Sequence, residues 1–183
     1  MRLMAIRRFF IYVTMILAFT LSTSHASAQP KALGVSFSYT GISLSYEMHS
    51  HQSNSFIDLE LKAENGEFYA GRSKYPGILA SASWNHYLKQ WKSDDGNNVS
   101  LFAGPGLAAG YCTDYKGADG IMIGLKGKIG VECNFKRNVT VSTSLAPIIG
   151  SHIVLKNGGV EMKYYRTGLQ YALIPEIGIK YWF

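Results

Sequence analysis

The chain is poor in several things, and each scarcity narrows what it can be. It holds two cysteines in 183 residues, Cys112 and Cys133, so at most one disulfide can form and only in an oxidising compartment. No stretch keeps a 3.6-residue apolar period over three turns, which excludes a helical bundle. No apolar run reaches the roughly 20 residues of a membrane-crossing helix, the longest being the 13 residues Phe9 to Leu21. Charged residues make up only 16%, and no dense basic stripe accompanies the pI of 9.3. Nucleic acid is therefore not an expected partner.

The N-terminus accounts for half of the net charge of +6. Arg2, Arg7 and Arg8 precede the short apolar run, and "STSHASA" follows it, which is the pattern of a secretory signal peptide. Ala26-Ser27-Ala28 supplies the cleavage site, so residues 1–28 read as signal peptide and 29–183 as one mature domain. No cysteine lies there to accept lipid. Removing the three arginines leaves 15 basic against 12 acidic residues, an excess of three.

What the mature chain has instead is alternation with period two. Ile57, Leu59 and Leu61 alternate with Asp58, Glu60 and Lys62. Ile121, Ile123, Leu125, Ile129, Val131, Cys133 and Phe135 stand against Lys126, Lys128, Glu132 and Asn134. In the last segment Leu169, Tyr171, Leu173, Pro175, Ile177, Ile179, Tyr181 and Phe183 share a face, opposite Gln170, Glu176 and Lys180. Long strands with one apolar face and one face of charges, glycines and hydroxyls suit a transmembrane barrel, whose lipid side is apolar and whose lumen is polar. A soluble barrel or sandwich also alternates, so periodicity alone leaves that reading open.

The ending "LIPEIGIKYWF" bears on the choice. "IGIKYWF", with Ile177, Ile179 and Tyr181 leading to a terminal Phe183, resembles the C-terminal signature of bacterial outer-membrane β-barrels. "GISLSYE", "FAGPG" and "GADGIMIGLKGKIGVECNF" are similar to the short glycine-punctuated strands of the small uncharacterised barrels of Gram-negative bacteria. The resemblance implies that the barrel-insertion machinery reads Ile177, Ile179, Tyr181 and Phe183. It also implies that the C-terminus lies on the periplasmic side.

Fold class is therefore all-β, an eight-stranded antiparallel up-and-down transmembrane barrel, since such barrels have even strand numbers. Strands are expected near 32–39, 42–49, 55–63, 77–88, 98–112, 121–135, 138–153 and 168–183. Residues 32–48 could instead form one long strand bulged at Thr40-Gly41. In the preferred arrangement, "KNGGVEMKYYRTG" and "TDYKGADG" are external loops carrying Tyr111, Tyr115, Tyr164 and Tyr165 with Lys116, Lys156, Lys163 and Arg166. These side chains read as a girdle and solvated charges, or as contacts to lipopolysaccharide phosphates or an unidentified surface partner. Pro105, Pro147 and Pro175 count against continuous strands but fall at one tier of the wall.

Lumen-facing positions are Glu47, Asp58, Glu60, Lys62, Lys126, Lys128, Glu132, Glu176 and Lys180, five acids and four bases. A near balance is what paired, buried charges require. An eight-stranded lumen is just wide enough for side chains to fill, so a wide pore is not expected. "GPGLAA" matches a dinucleotide fingerprint formally, yet no helix follows it and Pro105 removes a donor. No cofactor and no metal are expected. The catalytic candidates are His152 and Ser151 at the external rim, neighbours pointing to opposite faces, and His152 reads as a histidine at the lipid interface. With the hairpin turn centred near Gly117, Cys112 pairs near residue 122, inward, and Cys133 near 101, outward, which predicts two free thiols. The expected role is structural or surface-interaction in the outer membrane; the alternatives are a lipid-modifying enzyme of lipid A deacylase or acyltransferase type, or a narrow pore.

Overall fold

The computed structural model describes residues 30–50, 54–65, 76–92, 96–114, 118–135, 138–156 and 159–183. The signal-peptide reading, Tyr115 and Lys116 lie outside them. The described chain forms β1 (Lys31–Ser38), β2 (Gly41–His49), β3 (Ser55–Asn65), β4 (Pro76–Lys92), β5 (Asn98–Asp114), β6 (Ala118–Phe135), β7 (Val139–Leu145), β8 (Ile148–Lys156), β9 (Gly159–Tyr164), a helical turn α1 (Arg166–Gln170) and β10 (Glu176–Trp182).

These ten segments follow eight strand paths. β7 and β8 both pair with β6 and make the seventh, while β9 and β10 make the eighth. Every pairing is antiparallel, and β1 joins β2 on one side and β10 on the other, which closes the barrel. Tyr39 and Thr40 make a true turn between β1 and β2, with Gly41 opening β2, so the single bulged strand over 32–48 is not formed. Gly41 is required there: its φ is +152°, and a Cβ would lie 2.0 Å from the Ala63 carbonyl oxygen. At the opposite end Asn138 adopts φ 58° before β7, a conformation asparagine tolerates better than most residues.

Period-two alternation sorts the side chains. Leu59, Leu61, Leu107, Ile123, Leu125 and Ile149 are outward and exposed, while Glu47, Asp58, Glu60, Glu132 and Lys180 are buried within. Ile177, Ile179 and Tyr181 point outward from β10, each more than half exposed, and Phe183 follows with its N–H on the Lys31 carbonyl. The interior holds aromatic and apolar groups as well as charges. Phe56 stacks on His49 at 5.0 Å and meets Phe102 edge-on at 5.3 Å, and Leu79, Ala108, Cys112, Met122 and Tyr165 cluster further along the barrel.

Three expectations need correction. The strand expected over 168–183 is confined to Glu176–Trp182; Arg166–Gln170 is helical, and turns occupy most of the remainder up to Pro175. The connection expected to be a loop over "KNGGVEMKYYRTG" contains β9. The β5–β6 register is shifted by two residues from that expected, Cys112 facing Gly120 and Cys133 facing Val99. Both thiols are free, Cys112 buried and Cys133 on the outer side. Cys112 and Val99 lie 13 residues apart on β5, about 40 Å of strand at ~3.3 Å per residue, far beyond disulfide reach.

Candidate functional site

The lumen is crossed by ion pairs in tiers, each set by residues of one parity on different strands. Nearest the chain's C-terminus, Lys180 of β10 bonds Glu47 of β2 and lies 3.4 Å from Glu132 of β6. Glu47 also meets His49 at 2.5 Å, and Glu132 accepts from the Tyr87 hydroxyl at 2.6 Å. The Lys180 ammonium sits 5.6 Å and 5.8 Å from the Phe56 and Phe102 ring centres, so the same cation is held by two carboxylates and two aromatic faces.

In the next tier β6 reaches across to β3. Lys126 donates to Glu60 at 2.6 Å and to Ser81 at 2.9 Å, and Lys128 bonds Asp58 with Glu60 3.7 Å away. Beyond it Lys62 of β3 meets Glu176 of β10 at 2.8 Å. All nine residues named from the sequence as lumenal thus face inward, and the structure brings them into these tiers.

The far mouth is closed by groups that alternation alone did not single out. Tyr165, between β9 and α1, is fully buried and donates its hydroxyl to Glu64 at 2.8 Å. Asp114 at the end of β5 accepts the Arg166 and Thr167 N–H groups and the Thr167 hydroxyl at 3.1, 3.2 and 2.8 Å, which satisfies the open donors at the start of α1. Gly168 lets this turn sit close, since a Cβ there would lie 2.3 Å from the Ile148 carbonyl oxygen.

Tyr165, read as an external aromatic, is therefore a lumen plug, whereas Tyr111 and Tyr164 are exposed on the outer side of β5 and β9. Glu64 and Asp114 were legible in principle: Glu64 continues the parity of Asp58, Glu60 and Lys62, and Asp114 that of inward Cys112. Nothing comparable marked Tyr165, which stands outside any strand.

His152 is not at the lipid interface. It points into the barrel, 1% exposed, with Nε2 3.0 Å from the Cys112 carbonyl oxygen, while Ser151 lies on the opposite face of β8. Nucleophilic catalysis needs a base within reach of its nucleophile, and this pair does not supply one. Among the described residues no group of three His, Cys, Asp or Glu side chains is placed to hold a metal ion.

No family model matches the chain and no curated protein matches it. Among solved structures it is similar to a major outer membrane protein from Thermus thermophilus, at 11% identity over 86% of this chain and 100% of that one, TM-score 0.46. It is also similar to Neisserial surface protein A, at 16% identity over 85% of this chain and 94% of that one, TM-score 0.44. The closed eight-path barrel stands on the chain's own strand pairing.

Proposed function

We propose that the chain is an outer-membrane β-barrel with a structural or surface-interaction role, its lumen filled rather than conducting. The observation that carries this is the inversion of polarity: apolar side chains are exposed all round the outer wall while the acids and bases meet inside. Soluble domains rarely expose apolar patches larger than a few hundred Å², whereas lipid favours such a wall. Ion pairs that join β3 to β6 and β2 to β10 occupy the space a permeating solute would need.

On this reading residues 1–28 are removed after Ala28 and the insertion machinery engages the Ile177, Ile179, Tyr181 and Phe183 face. The end holding Asp114, α1 and β9 meets lipopolysaccharide or a surface partner, with Lys163 and Arg166 as phosphate-binding cations.

The test is fractionation of expressing cells, gel migration of the outer-membrane fraction with and without boiling, and planar-bilayer recording of the purified protein. The expected result is a heat-sensitive fast-migrating band in the outer membrane and no steady conductance. Recovery in a soluble fraction would sink the membrane reading, and a large steady conductance would sink the filled lumen.

A further inference from the structure

The mouth on the side of the C-terminus is lined by chemistry unlike that of the charged tiers beside it. Ladder pairing sets Lys92, Asn98, Asn134 and Thr140 in one row across β4, β5, β6 and β7, so their side chains share one side of the wall. Trp182, two residues past the inward Lys180, donates its indole N–H to the Thr140 hydroxyl at 2.7 Å. His49 and Tyr87, already held by Glu47 and Glu132, line the cup toward the charged tiers. Its volume is about 360 Å³, within the range of small-ligand sites.

Hydrogen-bonding capacity is left over here. Ser100 lines the cup, is 2% exposed, and its hydroxyl has no partner among the described residues. The amides of Asn98 and Asn138 likewise bond to none of them, and Asn134 uses only its oxygen, which accepts from Thr140. Buried polar groups in native proteins are normally satisfied, so these groups point to a ligand. No acid lines the cup and Lys92 is its one ammonium. A multiply charged ligand would find too few counter-charges, and a peptide strand would find no open sheet edge beside β4, β5 and β6. Amides and hydroxyls both donate and accept, as the groups of a sugar do. Trp182, its N–H already bonded, adds an apolar ring.

We propose that this cup binds a neutral N-acetylated sugar unit. Asn98 and Asn134 face each other directly across the β5–β6 ladder, which sets amide donors and acceptors side by side for the C=O and N–H of an acetamido group. Ser100 bonds a ring hydroxyl, and Trp182 packs against the apolar face of the sugar ring. The inference rests on the barrel reading, in which this mouth opens to the periplasm. There such a unit comes from the cell-wall glycan or from a soluble oligosaccharide.

The experiment uses the full chain folded in detergent micelles, titrated with tri-N-acetylchitotriose and followed by tryptophan fluorescence. Saturable binding is expected, weakened about tenfold by Asn98→Ala and by Ser100→Ala and unchanged by Met162→Ala at the other end of the barrel. Cellotriose, which lacks acetamido groups, should bind more weakly. No saturation of a chain that keeps its fast-migrating unheated band, or unchanged affinity in both cup variants, would overturn the site. Equal affinity for cellotriose would overturn the acetamido contact. Co-sedimentation with purified insoluble cell-wall glycan, lost in Asn98→Ala, supports the wall as the source; its absence while the soluble sugar binds overturns that source alone. Absence of the fast-migrating band in the wild-type chain would overturn the barrel reading itself.

Discussion

The β5–β6 hairpin and the last two strand paths meet the same difficulty, proline in a hydrogen-bonded wall, with different outcomes. β5 carries Pro105 yet stays paired with β6 from Asn98↔Asn134 to Asp114↔Ala118. The seventh path parts between Leu145 and Ile148, around Pro147, and the eighth between Tyr164 and Glu176, ending at Pro175. The difference lies in how many prolines one pair of paths must take. Past Ser144↔Glu176, continued pairing would set Pro175 opposite Leu145 and Pro147 opposite Leu173, two proline rings within three positions of one strand pair. Pairing resumes at Ser151↔Tyr164, with 11 residues on the eighth path spanning the 6 on the seventh. The surplus makes the turn that delivers Tyr165 into the lumen. A regular wall holds charges in register; a broken one supplies the stopper.

That contrast is broken most severely in the regular half. Lys180→Met would leave Glu47 and Glu132 buried without their shared cation, a loss of about 3–5 kcal/mol. The urea midpoint for disappearance of the folded, fast-migrating form should fall sharply. A midpoint unchanged from wild type would mean that the charged tiers do not hold the barrel together.

In the broken half the expected effects are smaller. Tyr165→Phe keeps the ring among Cys112, Met122 and Leu79 but strands the Glu64 carboxyl, at about 1–3 kcal/mol. Limited proteolysis should then cut near α1 while the ladder below stays protected. Asp114→Ala removes a cap from α1 and costs about 1 kcal/mol. Its readout is faster hydrogen exchange at the Arg166 and Thr167 amides, without change in the urea midpoint set by the charged tiers.

How far the sequence reached follows the same division. Where alternation ran unbroken the expected strands lie close to the observed ones, 121–135 against Ala118–Phe135 and 55–63 against Ser55–Asn65. Parity grouped the nine charges that the ion pairs of the barrel interior use. It could not give partners, because Lys180 and Glu47 are 133 residues apart and their meeting depends on strand tilt, which no local pattern encodes. Where alternation misled, as through Leu169, Tyr171 and Leu173, a five-residue helix is too short to display its own period. Pro175 was the residue that should have ended the strand. The alternation in "VEMKY" is present, but the glycines and charges around it carry the signals of a loop.

The smallest effect is expected at the proline that does no visible damage, and two opposed terms decide its size. Gly127 donates its N–H to the Pro147 carbonyl at 2.9 Å, so Gly127 turns its backbone groups toward the seventh path. Pro105 therefore faces Gly127 across a non-hydrogen-bonded pair, and the donor it lacks would point to β4. There the pairing skips from Ser83↔Gly106 to His86↔Ala103. Pro105→Val would restore an N–H toward Trp84 and gain about 0.5–1.5 kcal/mol for the bond. The same change frees the unfolded chain, at a cost of about 0.4–1 kcal/mol. The urea midpoint should move by far less than for Lys180→Met, while the Trp84 to Pro105 stretch of the β4–β5 ladder gains amide protection. A large loss of stability instead would show that Pro105 is needed for the bend of the wall beside Gly127, and that the intact and broken paths differ by more than their count of prolines.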